Sequence, residues 1–324
     1  MTITPDALPH ASVREVVGFA RAALEGADVP SARVDAELLL AYVRGLSRAD
    51  LVRAALMNEG AWSEGDAGAL ERARFASALE RRCAREPLQH ITGLASFRYL
   101  ELEVGPGVFV PRPETEVVAQ VAVDELNRLE SAPAHDISDD SAKPSPIVVD
   151  LCTGSGAIAI AIATELPATR VYGVELSREA FAWTTRNNAR YEDPVTLVQG
   201  DARTALEELN GQVAVVISNP PYVPSDSIPK DPEVAGYDPA MALYGLGPDG
   251  LEVPRGVTRA AARLLVPGGL YVMEHAEVQG QAAVDMVRET GYFERIATRV
   301  DLTNRPRMVV AYRNTTQYLE GSTP

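Results

Sequence analysis

The sequence predicts an α/β protein: a doubly wound, Rossmann-like sheet of seven strands, the last antiparallel, preceded by a small helical bundle. Three observations carry this. Apolar residues recur at helical spacing over residues 12–85, short strand patterns alternate with helical ones from residue 147 onward, and a glycine-rich turn separates the first buried strand from its helix.

In the first stretch, Val34, Leu38 and Tyr42 show the helical spacing, and Ser31 and Ser63 are candidate N-caps. From residue 91 to 110 the period becomes two. Phe97-Arg98-Tyr99-Leu100-Glu101-Leu102-Glu103-Val104, followed by Gly105-Pro106-Gly107, predicts a β-hairpin joining two domains. A helix over 114–129 comes next. Residues 131–146 are polar, punctuated by proline and aperiodic, which predicts a mobile surface loop.

Beyond the loop the expected order is strand 147–151, helix 157–165, strand 171–176, helix 179–190, strands 196–198 and 213–218, helix 257–265, strand 270–274 and helix 279–289. Strands 293–300 and 307–312 have no helix between them, so one must run antiparallel to a neighbour. The implied domains are a helical one over 1–88, a hairpin linker over 89–110 and the α/β domain over 111–324.

Composition narrows the function. With 324 residues, 46% hydrophobic and 23% charged, the chain is neither disordered nor a disulfide scaffold. Its apolar runs are far shorter than the ~20 residues that cross a bilayer, so no membrane association is expected. The net charge is −15, carried almost wholly after residue 100, which disfavours stable nucleic-acid binding. Only Lys143 and Lys230 among the basic residues are lysine. Cys83 and Cys152 cannot form a disulfide framework, and the N-terminus lacks a secretory apolar core, so a cytoplasmic protein is expected. His10, His90, His135 and His275 are scattered without ligand-like spacing, and no metal site is expected.

Two constellations carry chemistry. Asp150-Leu151-Cys152-Thr153-Gly154-Ser155-Gly156 lies between a buried strand and a helix, where a ligand can approach the backbone and helix N-terminal amides. Glu175 ends the next strand, placed to accept the hydroxyls of a ribose. This pattern fits NAD as well as S-adenosylmethionine. The second constellation separates them: strand 213–218 ends in Asn219-Pro220-Pro221-Tyr222. The two prolines fix the backbone and withhold two donors, leaving carbonyls and the Asn side chain to face a ligand. A planar NH2 group can donate to the Asn219 oxygen and the Pro220 carbonyl while Tyr222 packs on its face. A nicotinamide dehydrogenase has no need of such a double acceptor.

These residues resemble S-adenosylmethionine-dependent methyltransferases that modify planar nitrogens. Further segments are similar to the HemK/PrmC family of N5-glutamine methyltransferases acting on class 1 peptide-chain release factors. They are Arg85-Glu86-Pro87-Leu88-Gln89-His90-Ile91-Thr92-Gly93, Val110-Pro111-Arg112-Pro113-Glu114-Thr115-Glu116, Ala242-Leu243 through Asp249-Gly250-Leu251, and Pro267-Gly268-Gly269 leading to Glu274 and Gln279. The resemblance implies a class I S-adenosylmethionine methyltransferase sheet, a helical domain that helps dock the protein substrate, and a monomer. It also implies S-adenosyl-L-methionine as cofactor, S-adenosyl-L-homocysteine as product, and methylation of the glutamine in a Gly-Gly-Gln motif. Cys152, Thr153, Gly154, Ser155 and Gly156 would wrap the cofactor's amino-acid end, and Asp150 would bind the cofactor with them. Glu175 would hold its ribose and Asp201 and Ala202 would border its adenine, while Arg112, Thr115 and Glu116 would close the pocket.

Alternatives stand beside these roles. Arg112 suits an interdomain ion pair, and Asp201 suits a cap of the following helix. Cys152 stands where the family usually has glycine, Ala202 where it has a larger residue and Ala276 where glycine is common, and Leu246 looks like an insertion. A ribosomal-protein glutamine or an exocyclic adenine amine would satisfy the same motif, and a non-enzymatic cofactor-binding scaffold would carry a degraded one.

Overall fold

The structure is a computed structural model that describes residue 3, residues 12–131 and residues 144–315. Residues 132–143, most of the expected mobile loop, lie outside it. The chain forms two compact units: Met1–Leu94 with Pro229–Tyr237, and Ala95–Ile228 with Asp238–Pro324.

The first unit contains α1 (Val13–Glu25), α2 (Ala32–Arg44), α3 (Arg48–Leu56), α4 (Gly65–Cys83) and α5 (Leu88–Thr92). Val13, Val16, Ala20 and Leu24 form one stripe of α1 and pack with Leu39, Leu40, Phe75 and Leu79, the spacing that turns one helix face inward. The Ser12 backbone N–H donates to the Glu15 carboxylate at 2.9 Å and ties down the start of α1. Val34 and Tyr42 lie on the outer face of α2, 38% and 50% exposed, while Ala36, Leu39 and Leu40 face the core.

The expected caps differ in detail. Ser31 stands at the N-cap of α2, but its hydroxyl donates to Asp35 at 2.7 Å. Glu64, not Ser63, occupies the N-cap of α4, because Ser63 gives its N–H and hydroxyl to the Glu71 carboxylate.

A short helix, Pro232–Tyr237, belongs to this unit although the sequence pattern assigns it to 111–324. The reason is ionic. Arg85 grips Glu233 with both prongs, at 2.8 and 2.6 Å. Arg82 reaches Glu233 at 2.8 Å and Asp35 at 2.7 Å. Burial works against the Glu233 charge, and the guanidinium hydrogen bonds outweigh it, so its carboxyl lies below the ordinary range. Leaving any member of such a buried set unpaired is costly.

The second unit holds the hairpin β1 (Leu94–Phe97), from Ala95 onward, and β2 (Leu100–Glu103), then α6 (Pro113–Ser131) and the sheet with its helices. These are β3 (Ile147–Leu151), α7 (Ala157–Glu165), β4 (Arg170–Glu175), α8 (Arg178–Arg190), β5 (Val195–Gln199), β6 (Val213–Ser218), α9 (Glu252–Leu264), β7 (Leu265–Glu274), α10 (Gly280–Glu289), β8 (Phe293–Val300) and β9 (Pro306–Arg313). The sheet order is β5-β4-β3-β6-β7-β9-β8. Only β9 pairs antiparallel, with both β7 and β8, which resolves the missing crossover helix.

Side chains alternate between two cores. Val149, Leu151, Val216, Tyr271 and Met273 pack with α9 and α10, and Val148, Val215, Ile217, Leu270 and Val272 pack with α6 and α7. Both faces of the central strands β3, β6 and β7 are therefore dry, as buried parallel strands require. Residues 157–163 of α7 are buried all round, so this helix is stabilised by burial and has no polar face. Among the described residues no helix is long and apolar enough to cross a membrane.

Candidate functional site

The order of strands reverses direction between β3 and β6, and at such a switch point the helices diverge and leave a crevice at the carboxyl ends. In register, Leu151 pairs with Val174 and with Ser218, and Ser218 pairs with Met273. The next residue of each strand is therefore Cys152, Glu175, Asn219 and Glu274, four side chains in a row along one edge.

Asp150 is fully buried beneath the glycine turn and accepts the Thr153 hydroxyl at 2.6 Å. Burial pushes its carboxyl up to about 7. Cys152 takes φ +68°, in the left-handed region. A side chain there costs roughly 1 kcal/mol or more against glycine, and burial raises its thiol. Gly154 is also left-handed at φ +60°, and nothing stands within 4 Å of where its Cβ would be, so the turn presents an open face. Glu175 accepts the Gly154 and Ser177 amides at 2.8 and 2.7 Å. Those amides offset part of the rise that burial imposes on its carboxyl. A half-wrapped carboxylate beside an open glycine turn fits a polyhydroxylated nucleoside with a polar tail.

Ser155 and Gly156 lead into α7, and Asn187 of α8 holds them by donating to the Ser155 carbonyl at 2.9 Å. Asp201 follows β5. It chelates Arg203 at 2.6–3.0 Å and accepts the Arg203 backbone N–H at 2.9 Å, which hold its carboxyl below the usual range. Asp201 thus closes its own turn; the next helical turn, Glu207–Leu209, has Leu206 at its N-cap, so the expected helix cap does not form. Ala202 lies in the core with Leu206 and Leu209.

The Asn-Pro-Pro-Tyr segment is held by backbone contacts from a later stretch. Tyr222 and Val223 donate their N–H groups to the Leu243 carbonyl at 3.1 and 2.8 Å. Gln279 donates to the carbonyls of Tyr222 and Asp249 at 2.8 and 2.9 Å. A Cβ on Gly250 would stand 2.3 Å from the Tyr222 carbonyl oxygen, so only glycine allows that approach.

The Asn219 side-chain nitrogen donates to Thr115 Oγ1 at 3.3 Å, and Thr115 donates to Glu274 Oε2 at 2.7 Å. Tyr222 donates its hydroxyl to Glu274 Oε1 at 3.2 Å. Burial lifts the Glu274 carboxyl to about 7 and raises the Tyr222 phenol. Among the described residues no hydrogen bond ends on Asn219 Oδ1 or on the Pro220 carbonyl. Two acceptors on a rigid Asn-Pro step can receive the hydrogens of a planar NH2 group.

Of the three residues foreseen on the closing segment, only Thr115 joins this cluster. Arg112 pairs with the buried Asp238 at 2.6 Å within the same unit and lies over the Phe109 ring. Glu116 turns to the hairpin and accepts the Arg98 backbone N–H at 3.0 Å. Glu274 was absent from the expected site. Its signal was a lone carboxylate ending the apolar strand Leu270-Tyr271-Val272-Met273, the same place that Glu175 holds on β4. Asp238 carries no such mark.

Residues 15–93 match the model of the PrmC N-terminal domain, and residues 148–230 match that of a methyltransferase domain. The release factor glutamine methyltransferase of Streptomyces coelicolor is 46% identical over 289 residues, covering 89% of this chain and 93% of that one. The protein of the same name from Bifidobacterium longum is 41% identical over 308 residues, 92% of this chain and 99% of that one. A 4-amino-L-phenylalanine/4-methylamino-L-phenylalanine methyltransferase of Streptomyces pristinaespiralis is 41% identical over 226 residues, 70% of this chain and 73% of that one.

Proposed function

The chain belongs to the release factor glutamine methyltransferase family. On that premise we propose that it methylates the side-chain amide nitrogen (N5) of the glutamine in the Gly-Gly-Gln motif of class 1 translation release factors, working as a cytoplasmic monomer. S-adenosyl-L-methionine supplies the methyl group as an electrophilic sulfonium and leaves as S-adenosyl-L-homocysteine. Thr153, Gly154, Ser155 and Gly156 would receive its amino-acid end, with Asp150 and Cys152 shaping the turn. Glu175 would accept its ribose hydroxyls, and Asp201 and Ala202 would border its base. The helical unit would help dock the release factor.

The observation that carries this reading is the adjacency of β3 and β6, whose paired ends, Leu151 and Ser218, put the glycine turn beside Asn219. An amide nitrogen is a poor nucleophile because its lone pair is delocalised into the carbonyl. Asn219 Oδ1 and the Pro220 carbonyl accept its two hydrogens, hold the nitrogen in one orientation and increase its electron density. Tyr222 packs against the amide plane. Positioning and local electrostatics therefore supply most of the rate. Transfer of the methyl cation leaves the nitrogen with both hydrogens and a positive charge; this cation is strongly acidic and gives one proton to water, so the neutral N-methyl amide forms without a strong base.

The test is mass spectrometry of a purified class 1 release factor incubated with the protein and S-adenosylmethionine, with Asn219→Ala as control. Gain of one methyl group on the Gly-Gly-Gln glutamine, absent in the control, supports the assignment. Transfer only to a ribosomal protein, a nucleic acid or a free arylamine amino acid would overturn the substrate and keep the chemistry.

A further inference from the structure

We propose that Thr115 and Glu274 are positioning residues that fix which end of the Asn219 side chain meets the substrate, and so make the site select an amide nitrogen over a carboxylate. The inference rests on the reading of Asn219 as the group that receives the glutamine NH2.

Ionised, a carboxylate only accepts hydrogen bonds. The short contact from Thr115 Oγ1 to Glu274 Oε2, 2.7 Å, therefore directs the single Thr115 proton to Glu274, while Tyr222 covers the other oxygen at 3.2 Å. Thr115 is 4% exposed and Glu274 2%, so water does not compete for these bonds. Burial raises the Glu274 carboxyl and the charge of Arg307, on β9, opposes that rise, so the relay operates in the ionised form of Glu274. With its proton committed, Thr115 Oγ1 can only accept, and the group it faces on Asn219 is the NH2, at 3.3 Å. The opposite orientation would set the Asn219 oxygen against the Thr115 lone pairs. The relay thus leaves Oδ1 as the outward end, beside the Pro220 carbonyl. Two acceptors welcome an NH2 group and repel the oxygens of a carboxylate, and a buried polar mismatch of that kind discriminates strongly. The three members come from α6, the end of β6 and the end of β7.

The experiment compares wild type, Thr115→Val and Thr115→Ser on a release factor carrying Gly-Gly-Gln, with its Gly-Gly-Glu variant as competitor. In wild type the glutamate form should compete at least ~10-fold more weakly than the glutamine form binds. In Thr115→Val, kcat should fall ~10- to 100-fold with cofactor Kd within ~3-fold, and the gap between the two forms should shrink to within ~3-fold. Thr115→Ser, which keeps the hydroxyl, should restore both. Should the valine variant not fold, Thr115→Ala removes the same hydroxyl without added bulk.

Retained kcat and discrimination without the hydroxyl would overturn the proposal. So would a loss of cofactor affinity that accounts for the whole defect, or failure of Thr115→Ser to restore. A wild-type protein that leaves the glutamine unmethylated would instead remove the reading beneath it.

Discussion

Asn219 and Thr115, 104 positions apart in the chain, meet through a 3.3 Å hydrogen bond in which the amide donates and the hydroxyl accepts. The direction of that bond sets the chemistry of the site, because it decides whether Asn219 offers an oxygen or a nitrogen to a bound group. Removing the side chain tests the site directly. Asn219→Ala should lower kcat by ~100-fold or more, while calorimetric Kd for S-adenosylmethionine changes by less than about threefold, under ~0.7 kcal/mol. Near-normal turnover in this variant would remove the mechanism.

The relay to Asn219 needs ionised Glu274, whose carboxyl burial lifts from 4.5 to about 7 against the opposing effects of Thr115, Arg307 and Tyr222, with Glu114 of α6 adding to the rise. The kcat–pH profile should therefore climb as pH rises through about 7 and lose that inflection in Glu274→Gln. Stability runs the other way. A carboxyl whose folded value is raised contributes fully below its unfolded value of about 4.5 and loses that contribution as pH rises through about 7. Melting curves of Glu274→Gln should lose part of this dependence, and the portion due to Asp150, also near 7, should remain.

Cys152 occupies a left-handed backbone conformation at φ +68°. Cys152→Gly relieves that strain but gives the unfolded chain more freedom, so a net stabilisation of ~0.5–1 kcal/mol is expected. Differential scanning calorimetry would show the rise in Tm. A fall would mean that thiol packing outweighs backbone strain.

Gly250 is the reverse case. At φ +72° it lies against the Tyr222 carbonyl, with no room for a Cβ. Gly250→Ala should cost more than ~2 kcal/mol and depress kcat more than cofactor affinity, since the displaced backbone is that of the Asn-Pro-Pro-Tyr segment. Denaturant melts and binding calorimetry on one preparation would separate the two effects.

In the helical unit, Glu233→Ala leaves Arg85 only the exposed Asp231, 3.9 Å away, and deprives Arg82 of one carboxylate of two. A loss of about 3 kcal/mol is expected from breaking a buried ion-pair set. Glu233→Gln should recover part of it by accepting at one oxygen. Urea titration measures both, and an unchanged midpoint in the alanine variant would show that water replaces the pair.

Local pattern made most of the fold legible. The strand at 213–218 and the helix at 157–165 coincide with β6 and α7, because a continuous apolar run bounded by glycine or proline leaves few other structures open. Ser63 was misread as a cap because a candidate cap says nothing of the carboxylate, Glu71, that reaches it from within the helix. At the site, the glycine turn, Glu175 and Asn219 were visible because each is a strand end followed by a turn with its own chemistry. Glu116 was not separable from Thr115 by motif alone, yet one faces Arg98 and the other Asn219.

The sequence by itself determined which strands and helices form, where the glycine turn and the Asn-Pro step interrupt them, and what atoms those interruptions offer. Hydrophobic period, backbone restriction and donor count are properties of neighbouring residues, so they survive without a partner. Tertiary structure alone decided that β9 enters between β7 and β8, that Pro232–Tyr237 joins the helical unit through Glu233, and that Thr115 stands between Asn219 and Glu274. Each of these is a pairing between distant segments, and its energy comes from burying charge or hydrogen bonds that exist only once both segments are in place.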